Sequence, residues 1–357
     1  MQTELFCPNN HSKWIVEYRP INTDLRAELK CVIDNYYSQL FDFDSIRNIE
    51  QVDEVEVNSN NFRITVEKNG YWNRYLLRRF PVNRVTNNIL ATYEIAEYLK
   101  SGGLKVPTVI LSKNNEKLVW QNGVAWSLFE FLSDTHYRGT VDELKSAGRE
   151  IGKLNRLLDI IPNKEQIRTL VVFPENYTDA RKYSEEIWFD IFDKANDKKD
   201  EFSEKLLSMK PLIMGYVNQN VSDLYAHLPK QLVHFDLHPH NLLADGEKIV
   251  AILDFDSVRY LEKIRTVAFA VHRLVRQCIL FNHLPMAEVR KLSDIFIGEY
   301  LREDTLTQEE IVSIPHFIRN EALCRFSYVT KNVYRNGSKW ECDFNKQILS
   351  LAESVYF

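Results

Sequence analysis

Residues 232–257 read LVHFDLHPHNLLADGEKIVAILDFDS, and their reading decides the fold. An apolar start at Leu232 and Val233 leads into a polar loop that carries Asp236, with Asn241 five positions later. Residues 242–244, the turn Asp245-Gly246 and residues 248–253 then have the pattern of a hairpin. Asp254 stands at the end of its second strand. Two carboxylates and a carboxamide spaced in this way suit phosphoryl transfer. The moving phosphoryl group spreads negative charge over its oxygens, so catalysis is mainly positioning plus cation-assisted electrostatics. Asp236 would orient an attacking hydroxyl or accept its proton. Asn241 and Asp254 would hold Mg²⁺, a hard cation that prefers oxygen ligands.

Outward from this segment the C-terminal part reads as helical. Thr140 and Glu143 have capping-box spacing, and Val141, Leu144, Ala147, Ile151, Leu154 and Leu158 form a helical apolar stripe. Further helices are expected over 176–193, 200–228, 265–281, 286–301 and 308–333. The first third reads as β-rich. Strands are expected over 46–57, 62–66, 71–80, 108–111, 118–120 and 126–131, with Asn69-Gly70 as a two-residue hairpin turn. A single helix over 85–100, stopped by Ser101-Gly102-Gly103, crosses that sheet. No repeat or low-complexity tract interrupts the chain. The fold class expected is α+β, a β-rich lobe at 1–131 followed by a mainly helical lobe at 132–357 with an embedded hairpin. Residues 1–45 are left without assignment.

Composition narrows the function classes. The chain has 357 residues, 45 Lys+Arg against 50 Asp+Glu, and a hydrophobic fraction of 45%. That is enough apolar material to offset the entropy of ordering, which excludes wholesale disorder. The net charge of -5 argues against a nucleic-acid partner, which needs a basic face to displace counterions. No apolar run approaches the ~18–20 residues of a membrane helix, and the first residues lack the features of a secretory signal. Five scattered cysteines without a C-x-x-C suggest reduced thiols in a cytoplasm.

The segment His234-Phe235-Asp236 with Asn241, followed by Asp254-Phe255-Asp256, resembles the aminoglycoside phosphotransferase and choline-kinase-like family, which shares the protein-kinase fold. The hallmark of that family is H-x-D-x-x-x-x-N and then a strand ending in D-F-[DEG]. The string HPHN is similar to its H-P-x-N. The resemblance implies a small-molecule kinase that uses ATP, with GTP as an alternative, and Mg²⁺. The acceptor would be a hydroxyl of a sugar, amino sugar, aminoglycoside or amino-alcohol. It also implies further site residues. In YLLRRF, Leu76 would roof the base and Arg78 would reach the phosphates, Arg standing where the family carries Lys. Glu94, or Glu97 one turn on, would pair with Arg78. Backbone groups of Glu130 and Leu132 would meet the adenine edge. Ser59 and Asn60 lie in the turn that would cover the phosphates, VNSNNFRI, which contains no glycine where one is expected.

Other readings stand beside these. His234, His238 and His240 with Asp236 permit a zinc hydrolase, although that reading leaves Asn241 and the D-F-D strand without a role. His234 reads better as a brace for the loop than as an acid or base. Asp256 is either a second metal or loop ligand or a helix cap. The acidic and aromatic residues 183–190 are either substrate contacts or an amphipathic helix with Ile187 and Phe189 in the core. The alternative from a different class is a catalytically silent nucleotide-binding scaffold of the same fold. The residues after Asp256 turn helical within about ten positions and contain no A-P-E, so no platform for a peptide acceptor is expected.

Overall fold

Asn69 and Gly70 both take positive φ, 55° and 78°, which is the backbone that a tight two-residue hairpin requires. They join β3 (Asn60–Lys68) to β4 (Tyr71–Arg79), with Lys68 opposite Tyr71. The computed structural model describes residues 18–52, 60–80, 86–170, 185–217, 225–335, 347 and 349–357. Around this hairpin a seven-stranded antiparallel sheet is built in the order β1-β2-β3-β4-β7-β5, with β6 paired to β7. Its other strands are β1 (Tyr18–Pro20), β2 (Ile46–Val52), β5 (Val109–Ile110), β6 (Val119–Gln121) and β7 (Val124–Glu130). A second Asn-Gly pair, Asn122-Gly123 with φ of 52° and 77°, closes the β6–β7 hairpin.

The two faces of the sheet are covered by different helices. Residues 18–45, unassigned from sequence, supply the edge strand β1 and helix α1 (Thr23–Val32). The Asn22 side chain caps α1 by accepting from the Leu25 amide at 2.8 Å. Leu29, Val32 and Ile33 pack with Phe62, Ile64, Leu77 and Trp126 on one face. Helix α2 (Thr86–Ser101) covers the other face, where Ile89 and Tyr93 meet Leu76, Phe80 and Phe129. Further along α2, Ile95 and Leu99 belong to the core of the helical region. Each such buried aliphatic side chain contributes about 1.5–3 kcal/mol.

The helical region opens with α3 (Val141–Asp159), whose capping box forms: Thr140 Oγ1 accepts from the Glu143 amide at 3.1 Å, and the Glu143 carboxylate accepts from the Thr140 amide at 3.2 Å. It continues through α4 (Lys164–Leu170), α5 (Glu185–Lys198), α6 (Glu201–Ser208) and α7 (Lys210–Val217). The long helix expected over 200–228 is therefore broken. Met209 closes α6 and Pro211, which has no amide hydrogen, sits in the first turn of α7. After these come α8 (Lys263–Phe281), α9 (Val289–Tyr300) and α10 (Gln308–Arg335). Two short antiparallel ribbons are set among these helices. One is the hairpin β9 (Leu242–Asp245) with β10 (Lys248–Ile252). The other pairs β8 (Lys230–His234) with β11 (Val258–Glu262), a strand in the stretch left unassigned before the helix expected at 265. Together they hold both ends of the 232–257 segment. Among the described residues, no helix is long and apolar enough to cross a membrane.

Candidate active site

Asp236 follows directly on β8, in a loop pinned by the buried His234 ring. The Asp236 amide donates to His234 Nδ1 at 3.2 Å, and His234 Nε2 donates to the Leu253 carbonyl at 2.7 Å. Both ring nitrogens are thus committed to backbone, which fixes the neutral imidazole with its proton on Nε2. Burial pushes the His234 pKa down, against the pull of the Leu253 carbonyl and of Asp254 and Asp236. With no lone pair left over, His234 braces the loop and cannot ligate zinc. Among the described residues, no three His, Cys, Asp or Glu side chains gather to hold a metal.

The Asp236 carboxylate has an arginine and a histidine as neighbours. Arg325 Nη2 on α10 donates to Oδ1 at 3.2 Å, and His238 Nε2 lies 3.4 Å from Oδ2. Burial alone would raise the Asp236 pKa, but the His238 hydrogen bond and charge, followed by Arg325, hold it well below the usual carboxylate range. The group is ionised at neutral pH. Arg325 was not anticipated: it lies 89 residues from Asp236 in sequence, and nothing local marks it.

The oxygen donors for a metal fit a hard cation. Asn241 Nδ2 donates to the Asp236 carbonyl at 2.8 Å, so its Oδ1 is the atom left to accept or ligate. The Asn241 carbonyl in turn accepts from the Leu253 amide at 2.9 Å, which ties it to the strand end before Asp254. Asp254 takes the left-handed backbone conformation, φ 62° and ψ 55°. Few residues other than Gly and Asn or Asp adopt it, and such strain gathers at functional sites. Among the described residues, a 3.4 Å contact from Ser257 Oγ is what engages its Oδ2. One amide oxygen and one carboxylate, completed by water and phosphate oxygens, is an oxygen set of the kind Mg²⁺ takes.

The N-terminal sheet meets this loop through Arg78. Leu76 and Arg78 share the face of β4 that is turned toward α2, with Leu76 packed in the cluster of Phe80, Tyr93 and Phe129. Arg79 lies on the opposite face, 3.5 Å from Glu28 of α1. Arg78 Nη2 donates to Asp256 Oδ2 at 3.0 Å, so the last residue of D-F-D is an ion-pair partner for the sheet arginine. The β9–β10 hairpin also docks on the segment after β7: the Ala244 amide donates to the Thr135 carbonyl at 2.9 Å and the Tyr137 amide to the Leu242 carbonyl at 2.8 Å.

A sequence model of the phosphotransferase enzyme family, APH, matches residues 51–261. The chain belongs to this family. Among solved structures, a spectinomycin phosphotransferase complexed with ADP and spectinomycin is 14% identical, with 95% of this chain and 100% of that one covered and a TM-score of 0.63. An amicoumacin kinase bound to AMP-PNP, Ca²⁺ and Ami is 15% identical, covering 91% and 94%, at a TM-score of 0.60. An ethanolamine kinase of Plasmodium vivax is 16% identical, covering 94% and 89%, at 0.56. No curated protein sequence matches the chain. At these identities the likeness concerns the fold, and it establishes the protein-kinase-like architecture of this phosphotransferase.

Not all the expected residues converge in the phosphotransferase site. Glu94 is exposed on α2 and makes no ion pair with Arg78, while Glu97 pairs with Lys117 at 2.6 Å. The reason is the helix phase: α2 turns Tyr93 toward β7, where its hydroxyl donates to Ser127 Oγ at 2.7 Å, so Glu94 faces solvent. Ser59 lies outside the described residues. Asn60 begins β3 and its Oδ1 accepts from Gln51 Nε2 at 3.1 Å. The Glu130 carboxylate is exposed and bonded to Lys100 at 3.0 Å, at the end of β7. Leu132 follows in the extended segment between lobes, and its backbone makes no hydrogen bond with the described residues. In α5 it is Trp188 that is buried, against Phe192 and Phe326, whereas Phe189 is exposed beneath Lys210. A buried Trp188 is a core residue and offers no face to a ligand.

Proposed function

We propose that this phosphotransferase moves the γ-phosphoryl group of ATP to a hydroxyl of a small metabolite. The observation that carries the reading is Asp236, ionised and held by His234, His238 and Arg325, in a loop that Asn241 ties both to the Asp236 carbonyl and to the strand end before Asp254. In the step envisaged, the acceptor oxygen bonds to the γ-phosphorus as the bond to the β–γ bridging oxygen breaks. ADP leaves and the hydroxyl proton passes to Asp236. Mg²⁺ held by Asn241 and Asp254 would supply charge neutralisation on the phosphates. Arg78, fixed by Asp256, reaches the phosphates from the sheet, under the roof of Leu76. The backbone of Glu130 and Leu132 takes the adenine edge. The lobes divide at residues 131 and 132, with nucleotide between them.

Acceptors in the class of sugars, amino sugars, aminoglycosides and amino-alcohols agree with the spectinomycin, amicoumacin and ethanolamine of the structural neighbours. A small acceptor is favoured over a protein because only β11 separates Ser257 from α8, and β11 is paired to β8 along its length. No chain remains there to build a peptide platform. The exposed Glu94 favours the second reading, a silent nucleotide-binding scaffold. The two are separated by titrating AMP-PNP with and without Mg²⁺, then offering labelled ATP to a metabolite panel and to mixed proteins. Label in a metabolite supports the kinase. Nucleotide binding with no transfer to anything supports the scaffold, and label in proteins alone overturns the small-molecule reading.

A further inference from the structure

The loop residue next to the catalytic carboxylate, Phe235, stacks on Phe269 of α8, with ring centroids 6.4 Å apart. Two guanidiniums rest on that same Phe269 ring: Arg325 at 4.4 Å and Arg273 at 5.3 Å from its centroid. Phe269, Arg273 and Arg276 recur at helical spacing and share one face of α8. Their partners differ. Arg276 is matched with the buried Glu353. Arg325 is shared between Glu321, at 2.6 Å, and Asp236. Arg273 makes no ion pair and no hydrogen bond among the described residues; the Phe269 ring is its close contact, and Glu321 and Asp236 act on it through their charge alone. Stacking fixes the plane of a guanidinium but satisfies none of its five N–H donors. A cation taken partly out of water with its N–H donors unbonded is costly, so a fold that keeps one has a use for it.

We propose that Arg273, with Arg325 beside it, anchors an acidic group of the acceptor, so that the substrate is a hydroxylated carboxylate or phosphate ester. The proposal rests on the kinase reading and deepens it. Arg78 and the Asn241–Asp254 pair serve the nucleotide. Arg273 and Arg325 instead come from the helices of the C-terminal region; Arg325 donates to Asp236 directly, and Arg273 stands over Phe269, which stacks on Phe235 beside it. The field at this place is positive: burial first, then Arg325 and Arg276, lower the Arg273 pKa to about 10, against Glu321 and Asp236. The side chain is still charged at neutral pH, and its planar fork matches a carboxylate or phosphate. Within the hydroxylated acceptors proposed above, a compound that also carries an acidic group gains from Arg273 what an amine does not.

The test begins with AMP-PNP titration and then compares phosphorylation of three acceptor groups. The carboxylates are glycerate and gluconate, the phosphate ester is glycerol 3-phosphate, and the controls are ethanolamine, choline, kanamycin and glucose. The expected result is kcat/KM at least about tenfold higher for an anionic compound than for any control, the first two groups showing which acid is preferred. Arg273→Gln should raise KM for that compound roughly 10- to 100-fold with unchanged AMP-PNP affinity, and Arg273→Lys should recover part of the loss. With AMP-PNP bound normally, preference for an amine or neutral sugar overturns the proposal alone. So does an unchanged KM in Arg273→Gln, or the failure of every anionic compound both to react and to bind the AMP-PNP complex. A protein that binds no AMP-PNP overturns the kinase reading and the proposal together.

Discussion

Acid should loosen the dock between the β9–β10 hairpin and the segment after β7, and His136 measures by how much. Its backbone bridges to Leu243 and its ring stands edge-on to His240, 5.3 Å between centroids. Burial first, and then the His238 charge, push the His136 pKa down from 6.5 to about 4. Because the folded value lies below the unfolded one, the neutral ring contributes stability above pH 6.5, and this is lost as pH falls toward 4. Between pH 7 and pH 5 the linkage relation gives a loss of about 2 kcal/mol from this one residue. The perturbation is His136→Phe, which keeps an aromatic ring and removes the titration; Nδ1 of His136 is buried without a partner, so no hydrogen bond is lost there. Urea unfolding of both proteins at pH 7 and pH 5 is the assay. His234 and His272, also lowered by burial, contribute to both proteins and cancel in the comparison. Wild type should lose about 2 kcal/mol more than the variant over that interval. Equal losses would refute the reasoning.

Other perturbations follow from single contacts. Arg78→Ala should weaken AMP-PNP binding roughly 10- to 100-fold by removing charge-assisted phosphate contacts, whereas Arg79→Ala removes a half-exposed pair with Glu28 worth about 0–1 kcal/mol and should leave binding unchanged; calorimetric titration in which the two behave alike would show the strand face misassigned. Gly152→Ala should destabilise by about 1–3 kcal/mol, because a Cβ there would stand 2.6 Å from the Tyr300 carbonyl where α3 and α9 touch, while Gly215→Ala on open α7 should stabilise slightly; thermal melts decide. Turnover should require Mg²⁺, accept Mn²⁺ and be lost in Asp254→Ala, and stoichiometric zinc in the purified protein by elemental analysis would contradict the oxygen-ligand site.

Much of the architecture was legible because its signals are local. Asn69-Gly70 needs two residues that tolerate positive φ, and Thr140 with Glu143 forms a self-contained cap, so both appear where the letters stand. That Asp236 and Asn241 stand in one loop and Asp254 at the end of the hairpin after it was legible for the same reason, because a short run of chain fixes these positions. What the letters did not reveal depends on packing between distant elements. Glu94 and Tyr93 are adjacent, and which faces β7 is decided by how α2 settles on Leu76, Phe80 and Phe129. Asp256 had two plausible local roles, and its pairing with Arg78 spans 178 positions. Arg325 and Arg273 look like ordinary helix-surface cations until α8 and α10 meet over Phe269. Helix α1 was missed because its stripe is short and mixed, and only the sheet face gives it a purpose.

The central claim is that Asp236 handles the acceptor hydroxyl in a phosphoryl transfer, and Asp236→Asn tests it most directly. The variant keeps the shape and can still meet Arg325, but it cannot take a proton. With the acceptor that the panel identifies, turnover should fall by roughly 10²–10⁴ while AMP-PNP binds as in wild type. Turnover within a few-fold of wild type, with the nucleotide bound normally, would contradict the account.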